Sequence, residues 1–320
     1  MKTDSRVDLL RSMLRIRRVE ETLADLYPSQ EMRTPTHFSI GQEAVAVGVC
    51  AALRRDDVVY SGHRCHAHYL AKGGDLGSMV AELYGRETGC AGARGRSVHL
   101  NDPEARIIAA SAFLGQTMAV AVGTALAFSM DGRDQVAASF FGDGTVEEGI
   151  FHETLNFAVM RRAPVLFVCE NNGFSTHTRL AVRQPATVSI HARAASYGMP
   201  GRLVDGNDVF AVHDAARAAV ARLRRGDGPF FLECTTYRWR EHVGPLWDYD
   251  KGYRTKAEVD SWVARCPIRR ASEQLVGDGA CTPAAIAAME RASQAEVDEA
   301  VVVARAASFP AVEDLTIGTY

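Results

Sequence analysis

The sequence predicts an α/β protein: a doubly wound parallel sheet with helices on both faces, followed by a helical C-terminal extension. The first observation is the stretch 139–174, in which two apolar strand-like runs flank one helix-length segment. The second is that strand-like and helix-like runs continue to alternate as far as residue 237. The third is that the chain from residue 255 onward is polar and helical. Strands alternating with helices of this length form parallel sheets with right-handed crossovers.

Each predicted element rests on its apolar periodicity and on the residues that bound it. Helical spacing or small apolar residues predict helices at 8–26, 41–53, 76–84, 115–130, 190–197, 209–223 and 283–307, with a crossover helix that begins at Thr145. Apolar or β-branched runs predict strands at 57–61, 135–141, 165–170, 203–206 and 230–237. The segments 27–40 and 85–99 are predicted to be loops. No composition break marks a boundary, so we expect one domain over residues 1–320, with 255–320 as the helical extension.

The composition is that of an ordinary globular chain and excludes several classes of function. Its 320 residues are 47% hydrophobic and 23% charged, with a formal net charge of −3. That balance argues against nucleic acid or anionic membranes as partners. The charged, periodic N-terminus has no long apolar core, so we expect neither a signal peptide nor a membrane span. Seven scattered cysteines without a CxxC pair indicate reduced thiols and a cytoplasmic protein.

Two side chains that could bind one metal ion are expected at the ends of two consecutive strands. Gly142-Asp143-Gly144 ends the first strand, and Asn171-Asn172 ends the second. One crossover helix between parallel strands would place Asp143 and Asn172 side by side at the carboxyl edge, where open α/β sheets bind ligands. A carboxylate and an amide oxygen suit Mg²⁺ or Ca²⁺, and Mg²⁺ often completes its shell with phosphate oxygens. The stretch predicts a metal-bridged diphosphate; a dinucleotide is disfavoured because no GxGxxG opens a helix here.

A second cluster follows the strand at 57–61, in the segment GHRCHAH of residues 62–68. Arg64 presents a planar fork of donors that can clamp phosphate oxygens. The three histidines of this segment suggest zinc, but no cysteine or acidic ligand at matching spacing accompanies them, so zinc is disfavoured. His37 and His242 lie in loops near proposed strand ends, where imidazoles exchange protons or bind carboxylates. Capping or surface roles are the alternative for each of these histidines.

Six blocks along the chain carry a family resemblance: GQEAVAVG, HRCHAHYLAKG, AELYGRETGC, FFGDG…ENNGF, AASYGMPGRLVDGNDVFAV and GPFFLECTTYRW. Their order and spacing resemble the alpha subunit of the thiamine diphosphate-dependent 2-oxoacid dehydrogenases, most of all the acetoin dehydrogenase branch. The resemblance extends over residues 10–253 and implies the thiamine diphosphate-binding fold, with thiamine diphosphate and Mg²⁺ as cofactors. It implies that a C–C bond of a 2-oxoacid or acetoin is cleaved, with the cofactor as electron sink, and that the acyl unit passes to a lipoyl acceptor.

The resemblance assigns roles residue by residue. The implied metal ligands are the side chains of Asp143 and Asn172 and the carbonyl of Phe174. The implied cofactor-binding residues are His63, Arg64, Leu114, Gly142, Asp143, Gly144, Thr145, Asn172, Phe174 and His242. The implied catalytic residues are His37, His66 and His242, which would stabilise charge or move protons during the reaction.

The resemblance also implies that the chain is half of an active site. In this family a separate beta subunit supplies the pyrimidine-binding half, so an α₂β₂ assembly is expected, with a lipoyl acyltransferase as a further partner. Ala112 and Phe113 depart from the family's GNGIVG block, where this chain has ASAFLG. Arg96 stands within GRS in place of GGS, and Val243 replaces the serine that mitochondrial relatives phosphorylate. Regulation by that phosphorylation is therefore not expected.

Two alternatives to the dehydrogenase stay open at this point. The loop at 240–254 is atypical of the family, which favours a relative that hands the acyl or ketol unit to an aldehyde or sugar acceptor. A non-catalytic scaffold paralogue is the alternative from another class. The retention of Asp143, Asn172 and Arg64 argues against the scaffold.

Overall fold

The fold is built around one parallel sheet, described by a computed structural model over residues 3–316. The helices in this range are α1 Thr3–Leu26, α2 Glu43–Cys50, α3 His66–Lys72, α4 Leu76–Leu83, α5 Gln116–Met130, α6 Gly149–Arg161, α7 Leu180–Arg183, α8 Ile190–Ser196, α9 Val209–Arg224, α10 Lys256–Val263, α11 Pro267–Gly277 and α12 Pro283–Ala306. The strands are β1 Val58–Ser61, β2 Ile107–Ala110, β3 Ala137–Gly142, β4 Val165–Asn171, β5 Phe174–Ser175, β6 Thr178–Arg179, β7 Gly201–Asp205 and β8 Phe230–Thr235. Residues 1–2 and 317–320 of the predicted domain lie outside the described residues.

The main sheet has the strand order β2-β1-β3-β4-β8-β7, and every pair in it is parallel. The crossover helix α6 joins the adjacent strands β3 and β4, in a register that pairs Gly142 with Glu170. The segments that follow these two strands therefore meet at one carboxyl edge, as the sequence predicts. A small antiparallel pair, β5–β6, lies beyond the end of β4.

Helices cover both faces of the sheet, which is why its central strands are apolar at nearly every position. On one face α2 and α9 pack together over the sheet, through side chains such as Val45 and Val212. On the other face α5, α6 and α8 pack through side chains such as Met118, Phe151 and Ile190. The predicted class, a doubly wound parallel α/β sheet, is confirmed.

The C-terminal helices form an extra layer on the helices of the N-terminal half. α12 packs against α1 and α4, and α11 packs against α1. Their buried residues, among them Leu275, Val297 and Val301, belong to the same apolar cluster as Leu10 and Met13 of α1. The predicted helical C-terminal region is confirmed. Among the described residues no helix combines the length and the apolar character that crossing a bilayer requires.

The structure corrects several predicted elements. The crossover helix begins at Gly149, because residues 143–147 form a 3₁₀ turn whose Glu147 is engaged by residues of the 180–184 segment. The prediction missed the edge strand β2, whose four residues give too short a pattern to read. It also missed α3, which lies within the histidine-rich segment. The strand predicted at 230–237 ends at Thr235, where its pairing with β4 stops.

Candidate functional site

A cavity of about 270 Å³ opens at the carboxyl edge of the sheet. The loops after β1, β3, β4 and β8 meet there, at the place where open parallel sheets bind ligands. The predicted site residues that line it are His37, His63, Arg64, Leu114, Gly142, Gly144, Thr145, Asn172, Phe174 and His242. The cavity thus brings together segments that are far apart in the chain.

Asp143 stands between the cavity-lining Gly142 and Gly144, does not itself line the cavity and is fully buried. Its Oδ2 accepts a charge-assisted hydrogen bond from Arg183, which also pairs with Glu147. Its Oδ1 has no hydrogen-bond partner among the described residues. Burial raises the pKa of Asp143, and the Arg183 guanidinium opposes that rise. Buried polar atoms are normally partnered, and a hard cation would satisfy this oxygen while keeping the carboxylate ionised.

The backbone around Asp143 is shaped for close approach of a ligand. A Cβ placed on Gly142 would meet no atom within 4 Å, so this side of the turn is open. At Gly144 a Cβ would stand 2.6 Å from the Ser175 hydroxyl, so a larger residue there would require Ser175 to move. Asn172 is buried at the rim, where its side-chain oxygen accepts from the Phe174 amide at 3.1 Å. These residues fit a metal-bridged diphosphate in chemistry and in space.

Three histidines from separate segments converge at the cavity. The ring centroids lie 4.5 Å apart for His37 and His63, 4.9 Å for His37 and His242, and 5.4 Å for His63 and His242. His37 is buried, and its Nδ1 has no hydrogen-bond partner in the described chain. We call these three residues the cavity histidines. They line the cavity and can therefore present imidazole nitrogens to a ligand. Among the described residues, none of the three forms an ion pair with a carboxylate that would hold its imidazole charged.

Arg64 connects the segments that carry the cavity histidines. Its guanidinium donates to the carbonyl of Phe38 at 2.5 Å and to the carbonyl of His242 at 3.4 Å. Burial lowers the pKa of Arg64 to about 9. Burial, with Arg64 as the next cause, lowers the pKa of His63 to about 4 and that of His242 to about 3. Both imidazoles are therefore neutral near pH 7 and can donate or accept one hydrogen bond each.

His66, predicted to be catalytic, does not reach the cavity. It is fully buried, with Nδ1 2.6 Å from Glu20 Oε1 and Nε2 2.9 Å from Ser97 Oγ. Glu20 in turn accepts from the backbone amide of Ser39. Both ring nitrogens are used inside the protein, in a network that ties α1 to α3 and to the 85–99 loop, so the catalytic role of His66 stays a prediction that the geometry of the cavity does not support.

His68 belongs to a second internal network that does border the cavity. Its Nδ1 lies 2.8 Å from the Ser61 hydroxyl, and its Nε2 lies 3.3 Å from Glu170 Oε2. The ring stacks on Phe140 with centroids 4.1 Å apart. Both Glu170 and His68 line the cavity floor. The Ser61 contact and the stacking on Phe140 hold the ring at the cavity, while Nε2 has no hydrogen-bond partner among the described residues.

A buried charge network positions the loop that carries His242. Asp248 accepts from Arg254 Nε at 2.5 Å and from Arg238 at 3.3 Å. Arg254 also donates to the backbone carbonyls of Trp239 at 2.8 Å and Arg240 at 3.0 Å, immediately before His242. Burial and the neighbouring Arg254 lower the pKa of Arg238 to about 10. The atypical 240–254 segment is therefore held from inside by this network.

Four residues of the site were missed by the sequence prediction. Gln42 accepts from the Asn172 side chain at 3.2 Å, and Glu170 lines the cavity floor. Gln42 stands in the block GQEAVAVG, and Glu170 directly precedes the two asparagines. Both residues could therefore have been found from the motifs to which they belong. Arg183 and Gln184 reach the 143–147 turn from a helix of four residues. No sequence pattern marks them, because only the folded chain brings that helix to β3.

The fold and the site define a class: α/β proteins with a diphosphate-type cleft at the carboxyl edge of a parallel sheet. The model of the dehydrogenase E1 component family matches residues 11–313. The chain belongs to this family, whose members depend on thiamine diphosphate. The predicted resemblance, fold and dehydrogenase alpha-subunit class are therefore confirmed.

Three relatives illustrate the similarity. The alpha subunit of acetoin:2,6-dichlorophenolindophenol oxidoreductase from Bacillus subtilis (strain 168) is 40% identical over 250 residues, which are 78% of this chain and 74% of the relative. The subunit of the same name from Cupriavidus necator is 36% identical over 97% of this chain and 92% of the relative. The pyruvate dehydrogenase E1 component subunit alpha from Porphyra purpurea is 35% identical over 96% of this chain and 90% of the relative.

Proposed function

We propose that the chain is the alpha subunit of a thiamine diphosphate- and Mg²⁺-dependent dehydrogenase that cleaves a C–C bond of acetoin or a 2-oxoacid. The acyl unit would then pass to a lipoyl acceptor. The similarity to both acetoin and pyruvate dehydrogenase alpha subunits supports this range of substrates. The observation that carries the proposal is Asp143 Oδ1, a buried carboxylate oxygen without a partner beside the cavity.

Within this proposal one group of cavity residues would bind the cofactors and another would serve proton transfer. Asp143, Asn172 and the carbonyl of Phe174 would hold Mg²⁺, while the backbone amides of Gly144 and Thr145 would receive the diphosphate. Leu114, which also lines the cavity, would contact the apolar part of the cofactor. Thiamine diphosphate, when bound, supplies the nucleophilic carbon and the electron sink.

The groups that would serve proton transfer are two of the cavity histidines. His37 and His242, both neutral near pH 7, would bind the substrate oxygen and exchange protons with it. His63 and Arg64 would border the diphosphate, with Arg64 adding the positive charge. His66 is left out of this set, because its ring nitrogens are engaged with Glu20 and Ser97.

We further propose a beta subunit as the partner that completes the site, in an α₂β₂ assembly, with a lipoyl acyltransferase as a further partner. Exposed apolar side chains on α5, on α6 and just before α5 support a protein contact along these two helices, which starts at the cavity-lining Phe113. They are Phe113, Val120, Met130, Phe157 and Met160. The relatives named above are themselves alpha subunits.

With Val120→Asp we expect the assembly to dissociate to a smaller mass in light scattering. Val302→Asp, on the distant α12, should leave the assembly intact.

Two further proposals concern the extent of the domain and the location of the protein. We propose that residues 1–320 form one diphosphate-binding domain, which the shared apolar cluster of α1, α11 and α12 supports. We also propose a cytoplasmic location, which the seven unpaired cysteines support because disulfides are rare there.

The decisive experiment loads the reconstituted pair of subunits with cofactor. Thiamine diphosphate with Mg²⁺ should raise the melting temperature, and Asp143→Asn should remove that shift. Asp131→Asn, an exposed acid at the end of α5, is the matched control and should keep it. No cofactor-dependent shift in the wild-type pair would favour the scaffold paralogue and contradict the proposal.

One alternative concerns the acceptor. The loop at 240–254 carries the exposed apolar residues Leu246 and Trp247 near His242, an arrangement that the family resemblance does not account for. A ketol or acyl transfer to an aldehyde or sugar acceptor is the second candidate. Isotope-labelled acetoin or pyruvate, offered with a lipoyl domain and with an aldehyde in parallel, separates the two by the labelled product. Label on the aldehyde alone would replace the dehydrogenase with the transferase.

A further inference from the structure

The cavity histidines have the composition of a transition-metal site that is distinct from the oxygen ligands around Asp143. Each of His37, His63 and His242 offers one ring nitrogen, and these three atoms lie within 4.8 Å of one another. Three imidazoles with an open fourth position are a recurring donor set for Zn²⁺ in enzymes. Imidazole nitrogen suits Zn²⁺, Co²⁺, Ni²⁺ and Cu²⁺, whereas Mg²⁺ prefers oxygen.

His37 supplies an independent sign that this cluster awaits a ligand. The residue is 8% exposed, and its Nδ1 has no partner among the described residues. Burial of an imidazole nitrogen without a partner is costly, so a group that satisfies it is expected. A ring contact with each of His63 and His242 places that unsatisfied residue at the centre of the cluster.

The backbone holds the three histidine segments in place before any ligand arrives. Arg64 donates to the carbonyl of Phe38, next to His37, and to the carbonyl of His242. The amide of Gly244 donates to the carbonyl of Thr36 at 2.8 Å, which joins the same two loops a second time. Ligands that are already positioned lose little conformational freedom when the ion binds.

Two features limit the affinity of this cluster. Tetrahedral Zn²⁺ with Zn–N bonds of about 2.0–2.1 Å needs nitrogens about 3.3 Å apart, so His63 and His242, which are only partly buried, must rotate inward. The positive charge of Arg64 also opposes a divalent cation. We therefore expect reversible binding, weaker than that of a structural zinc site.

We propose that His37, His63 and His242 bind one transition-metal ion of the Zn²⁺ type in the cofactor-free chain. The ion would lie among the three histidines where they line the cavity. A bound ion would exclude the cofactor, and a bound cofactor would exclude the ion. The metal site itself stands on the histidine geometry; only the exclusion rests on the proposed function.

The test uses the full chain without cofactor, titrated with Co²⁺ and followed by visible absorption. We expect one Co²⁺ per chain with the intense spectrum of a four-coordinate ion, displaced by Zn²⁺ and unaffected by excess Mg²⁺. His63→Gln and His242→Gln should each weaken Co²⁺ binding about tenfold or more. His152→Gln, an exposed histidine of α6, and Asp143→Asn should leave it unchanged.

Several outcomes would overturn the proposal. Wild-type affinity in both His63→Gln and His242→Gln, with near-ultraviolet circular dichroism confirming that the variants are folded, would place the ion elsewhere. Loss of binding in Asp143→Asn, or competition by Mg²⁺, would mean that Co²⁺ uses the oxygen ligands. If thiamine diphosphate with Mg²⁺ fails to release bound Co²⁺ from a chain that still binds the cofactor, the exclusion is wrong and the metal site stands. Absence of any cofactor binding by the chain reconstituted with its beta subunit would instead count against the proposed function.

Discussion

His63 and His66 stand three residues apart in one motif, and their surroundings are opposite. His63 lines the cavity beside two other imidazoles, whereas His66 is fully buried with both ring nitrogens hydrogen-bonded to Glu20 and Ser97. The ring of His63 faces the ligand space, whereas the ring of His66 is fully used inside the protein. The comparison teaches that neighbours in one motif can be a binding residue and a supporting residue, because the contacts of each side chain decide its role.

The largest expected effect is on the cavity side. His37→Gln should lower kcat of the reconstituted enzyme by about 10²–10⁴-fold, the usual contribution of a positioned acid or base. The free energy of unfolding should change by less than about 1 kcal/mol, because the substitution breaks no internal hydrogen bond. Steady-state kinetics and urea unfolding measure the two quantities, with His152→Gln as the control. A kcat within about threefold of wild type would remove His37 from the catalytic set.

The supporting side should respond in the opposite way. His66→Ala leaves Glu20 Oε1 buried without its hydrogen-bond partner, which costs about 1–3 kcal/mol of unfolding free energy. Urea unfolding of this variant beside His63→Ala measures the difference directly. If both variants lose the same stability, the distinction between the two histidines fails. If His66→Ala is stable but inactive, His66 has a catalytic role after all.

The pH dependence of stability should come from the cavity histidines. Their folded-state pKa values, about 4 for His63 and about 3 for His242, lie below the ordinary value of 6.5. The unfolded chain therefore binds more protons below about pH 6.5, and stability falls as the pH drops through this range. Each histidine contributes a slope of at most about 1.4 kcal/mol per pH unit. Urea unfolding at about pH 7 and about pH 5 should show a smaller decrease for His63→Gln than for wild type; an equal decrease would contradict this origin.

The smallest expected effect concerns the ion pair between Arg183 and Asp143. Because the guanidinium occupies one carboxylate oxygen, Arg183→Gln should tighten the apparent Mg²⁺ affinity of the cofactor-loaded enzyme by about tenfold or less. The matched control is Arg179→Gln, on the same segment as Arg183. This substitution breaks the ion pair between Arg179 and Glu258 and leaves Asp143 unaffected. Mg²⁺ titration of activity measures both. Weaker Mg²⁺ binding in Arg183→Gln would show that Arg183 supports the metal site instead.

Much of the fold could be predicted because its signals are local. The strand at 165–170 and the helix at 209–223 have continuous apolar runs or strict helical spacing, and both lie within two residues of their observed bounds. The short edge strand β2 carries no such pattern. The glycine-rich segment 85–99 is a loop, as predicted, but its order comes from Glu82. That buried carboxylate accepts from the amides of Ala91, Ala93, Gly95 and Arg96.

The candidate site was predictable where chemistry follows strand ends. Asp143 and Asn172 could be placed side by side from the order of two strands alone. Arg183 could not, since it reaches Asp143 from a four-residue helix that no pattern connects with β3. The internal contacts of His66 could not be predicted for a related reason, because its partner Glu20 lies on α1, far away in sequence.

The sequence by itself determined the sheet, the acid–amide pair at its edge and the family, because strand periodicity, turn glycines and motif order are properties of neighbouring residues. Only the tertiary structure decided which histidines are free to bind. His37, His63 and His242 come from three distant segments, and whether an imidazole keeps an unused nitrogen depends on every group packed around it. That packing arises only when the whole chain has folded.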